Sequence, residues 1–244
     1  MWTYLAILLS ISVIFLVFVR KVVLYYRKPI QQPNEAEKDT ENDSNNNKTV
    51  VSKKDRDRAE ALCKKGLIML KAGKEDDAIK CFVQALALNE LHDETQHRLA
   101  VLYLKKQMYG AAAALFKRLI ESSENPLYYS HLGLALYKQS DFLEAKNAYQ
   151  KAVELDPERA ARFVSLAQVY RSLDQFSHAA AALNKAIDIE QENIDFLLLM
   201  SSTQMDLKNY KEASEILERV LTLEPKNPDA KSMLKEVKNL SEDA

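Results

Sequence analysis

The chain has 244 residues, of which 34 are basic and 35 acidic, so its formal charge of −1 leaves no electrostatic footprint for nucleic acid. Apolar residues make up 47% of it, enough for a buried core, and two cysteines without C-x-x-C spacing exclude a disulfide framework.

Those averages hide an uneven order along the chain. From Met1 to Val19 no side chain is charged, and twelve of the residues between Leu5 and Val19 are Leu, Ile, Val or Phe. Such a run favours bilayer insertion by roughly 5 kcal/mol and is long enough to span the ~30 Å hydrocarbon layer. Trp2 and Tyr4 lie at one rim, and Tyr25 and Tyr26 at the other. A cleaved signal peptide is the rival reading, but it needs a basic leading region, a shorter apolar run and a small-residue cleavage site, none of them convincing here. Residues 1–26 are therefore expected to form an uncleaved transmembrane helix with a basic flank. Arg20, Lys21, Arg27 and Lys28 crowd its C-terminal side, which by the positive-inside rule keeps the rest of the chain cytoplasmic. A signal-anchored or secreted array facing away from the cytoplasm is the alternative topology.

Residues 27–52 hold Pro29, Pro33 and the run Asn45, Asn46, Asn47, with little apolar surface to offset ordering entropy. A disordered polar linker is expected there. From Lys53 onward the texture becomes Ala-, Leu- and Lys-rich with helical periodicity and no alternating strand pattern. It also repeats at a stride of about 34 residues, the mark of a stacked array. Five units follow, at 53–92, 93–125, 126–159, 160–193 and 194–227, with the second one residue short. A capping helix and tail occupy 228–244, where Met233, Leu234 and Val237 share one face.

Each unit carries a small residue where two helices must approach: Gly66, Ala100, Gly133, Ala167 and Ser201 on the first helix, and Ala78, Ala112, Ala145, Ala179 and Ala213 on the second. Phe82, Phe116, Tyr149, Leu183 and Leu217 are then the plugs between one hairpin and the next.

These residues resemble the tetratricopeptide repeat (TPR) family, over about 59–227. Leu119 and Val220 stand where the family has small residues, and Tyr129 where it often has Trp. The resemblance implies an all-α, right-handed α-solenoid of five helical hairpins plus a C-terminal cap helix, whose first helices line a concave groove for partner proteins. Carried over, the groove falls on Leu67 in the first unit, and on His97 and Val101 in the second. The third contributes Ser130, Leu134 and Tyr137, the fourth Val164, Gln168 and Arg171, and the fifth Leu198, Ser202 and Met205. Cys63, Leu70 and Leu104 sit at neighbouring inward places. That wall is mostly apolar, which points to an amphipathic helix or an extended apolar segment as ligand. Cys63, Leu67, His97 and Val101 do not supply the Lys, Asn and Arg donors with which some members clamp a C-terminal carboxylate.

Catalysis needs a constellation, and no metalloprotease, nucleophile-elbow, P-loop or dinucleotide motif is present. No cofactor and no metal site are expected. His92 and His97 are five apart, a spacing that turns them away from each other on a helix, and His97 with His131 reads as groove or surface histidines. Cys63 and Cys81 read as small buried residues. The expected function is a membrane-tethered scaffold that binds peptide or helical segments of other proteins, for assembly or quality control of membrane or envelope components. Homo-oligomerisation through the same groove is the competing use.

Overall fold

The computed structural model describes residues 51–242, and the expected membrane helix and most of the polar linker lie outside them. Among the described residues there are eleven helices and no strand. In chain order they are α1 (Lys53–Lys71), α2 (Glu75–Leu88), α3 (Asp93–Lys105), α4 (Tyr109–Ser122), α5 (Pro126–Lys138), α6 (Phe142–Leu155), α7 (Ala160–Ser172), α8 (Phe176–Ile189), α9 (Ile194–Asp206), α10 (Tyr210–Leu223) and α11 (Pro228–Glu242). They pair as five hairpins, α1/α2 to α9/α10, with α11 laid against α10. After α1, every first helix has 13 residues and every second helix 14. Helices that short are marginal alone in water, so packing between neighbours must hold them. Each helix indeed packs chiefly on those adjacent to it in sequence, as in a one-dimensional solenoid.

The turn inside each hairpin is built the same way. Gly73, Gln107, Ser140, Asp174 and Lys208 all take positive φ, between 56° and 73°. In the first hairpin the Gly73 amide donates to Leu70 O and the Lys74 amide to Met69 O, at 3.0 and 2.9 Å. The same pair of bonds recurs at Gln107/Met108, Ser140/Asp141, Asp174/Gln175 and Lys208/Asn209. This double closure satisfies two terminal carbonyls of each first helix and reverses the chain. Between hairpins the chain runs extended, and an N-cap then restarts the helix: Asn125 accepts from the Leu127 amide at 2.9 Å, Asn193 from Phe196 at 3.3 Å and Asn227 from Ala230 at 2.9 Å.

The small residues sit where expected. Ala78, Ala112, Ala145, Ala179 and Ala213 are wholly buried, as are Phe82, Phe116, Leu183 and Leu217, with Tyr149 nearly so. A Cβ added at Gly66 would stand 2.5 Å from the Phe82 ring, and one at Gly133 2.8 Å from the Tyr149 ring. At these two places the ring of the partner helix leaves no room for a Cβ, whereas the second hairpin holds Ala100 and Phe116 at the same places. Where the plug is Leu183 or Leu217, the facing residue enlarges to Ala167 or Ser201, as close packing requires. Leu119 and Val220, at places usually small in the family, are also fully buried. Val237 of α11 is buried, and Met233 and Leu234 pack with it over the last hairpin, closing the apolar end of the array.

Candidate protein-binding face

First helices of successive hairpins lie side by side, and polar bonds stitch them. His92 Nε2, at the start of α3, lies 2.9 Å from Glu60 of α1. Arg162 Nε of α7 donates to Ser130 Oγ of α5 at 3.2 Å, and Ser172 Oγ to the Tyr137 hydroxyl at 3.3 Å. Arg171 of α7 donates to both Ser202 Oγ and Asp206 of α9 at 2.8 Å. The residues expected on the inner wall lie on the first helices and, Cys63 apart, none is buried: Val101 and Gln168 are exposed, and Leu67, His97, Ser130, Leu134, Tyr137, Val164, Arg171, Leu198, Ser202 and Met205 are half-buried. Leu134, Tyr137 and Val164 rest on the central core, Leu67 on the first hairpin's core, and Leu198 and Met205 on the last. Cys63 departs from the expected wall. It is 3% exposed and packs with Ala78, Phe82 and Leu99, because its short side chain sinks into the hairpin instead of spanning outward. Burial raises its thiol pKa.

Between the second and third hairpins the face is aromatic. His97 and His131 stack, with centroids 6.1 Å apart and planes 20° from parallel. Tyr128 lies 5.2 Å from His97, and Phe116 lies 5.2 Å from His131. His97 Nε2 and His131 Nδ1 are buried without a hydrogen-bond partner in the protein. Burial lowers the pKa of both imidazoles; Arg98 lowers His97 further, and His97 does the same to His131. Both are thus held neutral, and among the described residues no group of three His, Cys, Asp or Glu side chains is placed to hold a metal ion.

Between the third and fourth hairpins a cavity of about 250 Å³ opens between α5 and α7. Leu127, Ser130, His131 and Leu134 line one side, Ala161, Arg162 and Ser165 the other, with Tyr149 and Arg159 completing it. Burial pushes the Tyr149 phenol up to about 12, so it stays a neutral hydroxyl. Arg162, only 7% exposed, is neutralised in place: it bonds the carboxylate and the carbonyl of Asp156 as well as Ser130. The guanidinium holds the Asp156 carboxyl below the usual carboxylate range. Arg159 has no such anchor, for its nearest acid is the same Asp156 at 3.9 Å, and its side chain is 72% exposed.

Leu127, Arg159, Arg162 and Ser165 were not legible as face residues. Leu127, Arg159 and Arg162 lie at the starts of α5 and α7, away from the small residue on which the pattern is centred, and Ser165 follows the expected Val164 in the middle of α7. The only signal was chemical: Arg162 is the one charged residue inside the apolar first turns of α7, and a cation there needs an acid, which Asp156 supplies.

Profiles described as tetratricopeptide repeat match residues 59–92, 93–126, 126–159 and 171–237. The bovine BBSome complex member BBS4 is 29% identical over 101 residues, covering 41% of this chain and 20% of that protein. The chain thus matches about a fifth of that relative's length. Among solved structures, MamA superposes with a TM-score of 0.67 at 22% identity, over 70% of this chain and 93% of that one. MamA from Desulfovibrio magneticus RS-1 gives 0.65 at 18%, over 70% and 98%. YrrB, titled a TPR protein with an unusual peptide-binding site, gives 0.67 at 18% identity, over 75% and 94%. At such identities the likeness to solved structures is one of fold. With repeat profiles matched over more than half of its length, and five hairpins at the stride they describe, the chain belongs to the tetratricopeptide repeat family.

Proposed function

We propose that the protein is a membrane-tethered, non-catalytic scaffold whose first-helix face holds a peptide or helical segment of partner proteins. The observation that carries this reading is the contrast between the two sets of helices. The repeated plug positions of the second helices, Phe82, Phe116, Tyr149, Leu183 and Leu217, are at most 5% exposed, whereas the first helices leave Leu134, Tyr137, Val164 and Leu198 half-buried. A stripe of apolar groups kept partly wet across several hairpins is surface awaiting a partner. Family membership supports it, as does the peptide-binding site named for YrrB, a protein of the same fold. The groups on offer are apolar side chains, alcohols and neutralised cations, which suit recognition better than turnover.

The tether rests on sequence. The uncharged run through Val19 and the basic flank after it favour a single-pass anchor with the repeats on the cytoplasmic side. In that position the scaffold would serve assembly or quality control of membrane or envelope components. Carbonate extraction followed by protease accessibility in intact and opened cells tests this: the protein should stay in the membrane pellet and be cut only after opening. For the face, tagged full-length protein carrying Tyr137→Asp, Val164→Asp and Leu198→Asp should lose the partners that the parent co-purifies while keeping its helical circular dichroism. Unchanged partners on a fully helical variant would place binding elsewhere.

A further inference from the structure

The cavity between α5 and α7 is a partly open recess of the face, and one of its lining cations, Arg159, is only weakly paired. We infer that this recess is a subsite for a single large apolar side chain of a partner segment, with an acidic residue of that segment beside it held by Arg159. The inference deepens the proposed scaffold function and rests on the first-helix face being the binding face.

Size decides the first half. At about 250 Å³ the cavity falls below the roughly 300–1,000 Å³ of small-molecule and cofactor sites. It exceeds the roughly 150 Å³ that suffices to take benzene in an apolar protein interior. One phenyl or isobutyl group fits it. Leu127, Leu134, Ala161 and the Tyr149 ring give it apolar walls, and Leu127 is 38% exposed. A side chain seated there would cover Leu127 and displace water from walls that offer it few hydrogen bonds.

Charge decides the second half. Two arginines and one acid meet at this place. Arg162 takes the Asp156 carboxylate in a buried, multiply bonded arrangement, so that charge is already spent on holding α7 to the preceding loop. Arg159 remains at the mouth with only a marginal contact to the same carboxylate. The cavity edge therefore carries a net positive charge and accepts a carboxylate. A lysine or arginine on the partner would meet Arg159 and be repelled.

The test uses the full chain with labelled methyl groups and three probes: acetyl-Phe-Glu-amide, acetyl-Phe-Lys-amide and acetyl-Ala-Glu-amide. Methyl resonances of Leu127, Leu134 and Ala161 should shift and saturate with the Phe-Glu probe. Removing the ring should weaken binding about tenfold or more, as loss of a buried aromatic side chain implies. Replacing the acid by lysine should weaken it about threefold, the scale of an exposed ion pair. Arg159→Glu, at a largely exposed position, should invert the acid-over-lysine preference without altering methyl signals of other hairpins. Equal binding of the Ala-Glu probe, or a preference that ignores Arg159→Glu, overturns the subsite. If the dipeptides fail while Leu198→Asp still releases partners, the subsite falls and the wider face stands. If the dipeptides bind but face charges release no partner, the cavity is no partner subsite and the wider reading falls with it.

Discussion

At the scale of single residues, glycine carries the clearest sign test. Gly66 and Gly133 each face a ring at a distance no Cβ tolerates, so Gly66→Ala and Gly133→Ala should cost about 1–3 kcal/mol through overpacking. Gly110, exposed near the start of α4, would place a Cβ in ordinary contact, 3.6 Å from Gln139, and Gly110→Ala should instead be neutral or gain up to about 1 kcal/mol. Urea midpoints of the three variants check the signs, and Tyr149→Leu should recover most of the Gly133→Ala loss because Leu183 already coexists with Ala167. The small-to-large complementarity was legible because each pair recurs at a fixed stride. The left-handed turn residues were not: only the first is Gly, and Gln107, Ser140, Asp174 and Lys208 take the same conformation without the residue type that announces it. The tertiary demand for a tight reversal outweighs local preference at these four positions.

At the scale of elements, two junctions between hairpins carry distinct chemistry. Arg162 ties α7 to the loop after α6 and to α5, and Arg162→Ala leaves the Asp156 carboxylate and carbonyl short of a donor. A loss of stability is expected, read as a lower urea midpoint, because Arg162 is itself buried and its three bonds go to the preceding loop and to α5. The histidine pair predicts a pH effect. Both folded pKa values lie below the unfolded value of about 6.5, so the unfolded chain binds protons first. Stability is full above that pH and falls as pH drops from about 6.5 toward the lowered folded values. Glu94 and Arg98 flank the pair on α3, and Asp93 and Glu94 face Tyr128, so some of the charge is offset but the two imidazoles still face each other. His97→Phe with His131→Phe should flatten the midpoint between pH 7 and 5. Losses confined to lower pH would report Asp156, Glu60 and Glu75 instead, whose depressed carboxyls lose their contribution as they protonate. Element order and unit boundaries were readable from periodicity, but the stacking of His97 on His131 was not. It depends on how two hairpins rotate against each other, which spacing within one helix does not encode.

At the scale of the whole molecule, the described residues form an array in which each hairpin packs chiefly on the hairpins next to it in sequence. Half-buried residues on the first helices are then surface that packing leaves partly free, and the places proposed for the groove follow from the resemblance to the repeat family, applied at the stride of the units. Where the face is recessed was not legible, since the lining of the cavity is drawn from α5, α6 and α7 together. Hydrogen–deuterium exchange on the full-length protein, alone and with its co-purified partner, tests the central claim most directly. Protection should rise in segments 126–138 and 160–172, with smaller gains in 194–206, and stay level in α2, α4 and α6. Protection gained mainly in those second helices, with the first helices unchanged, would contradict it.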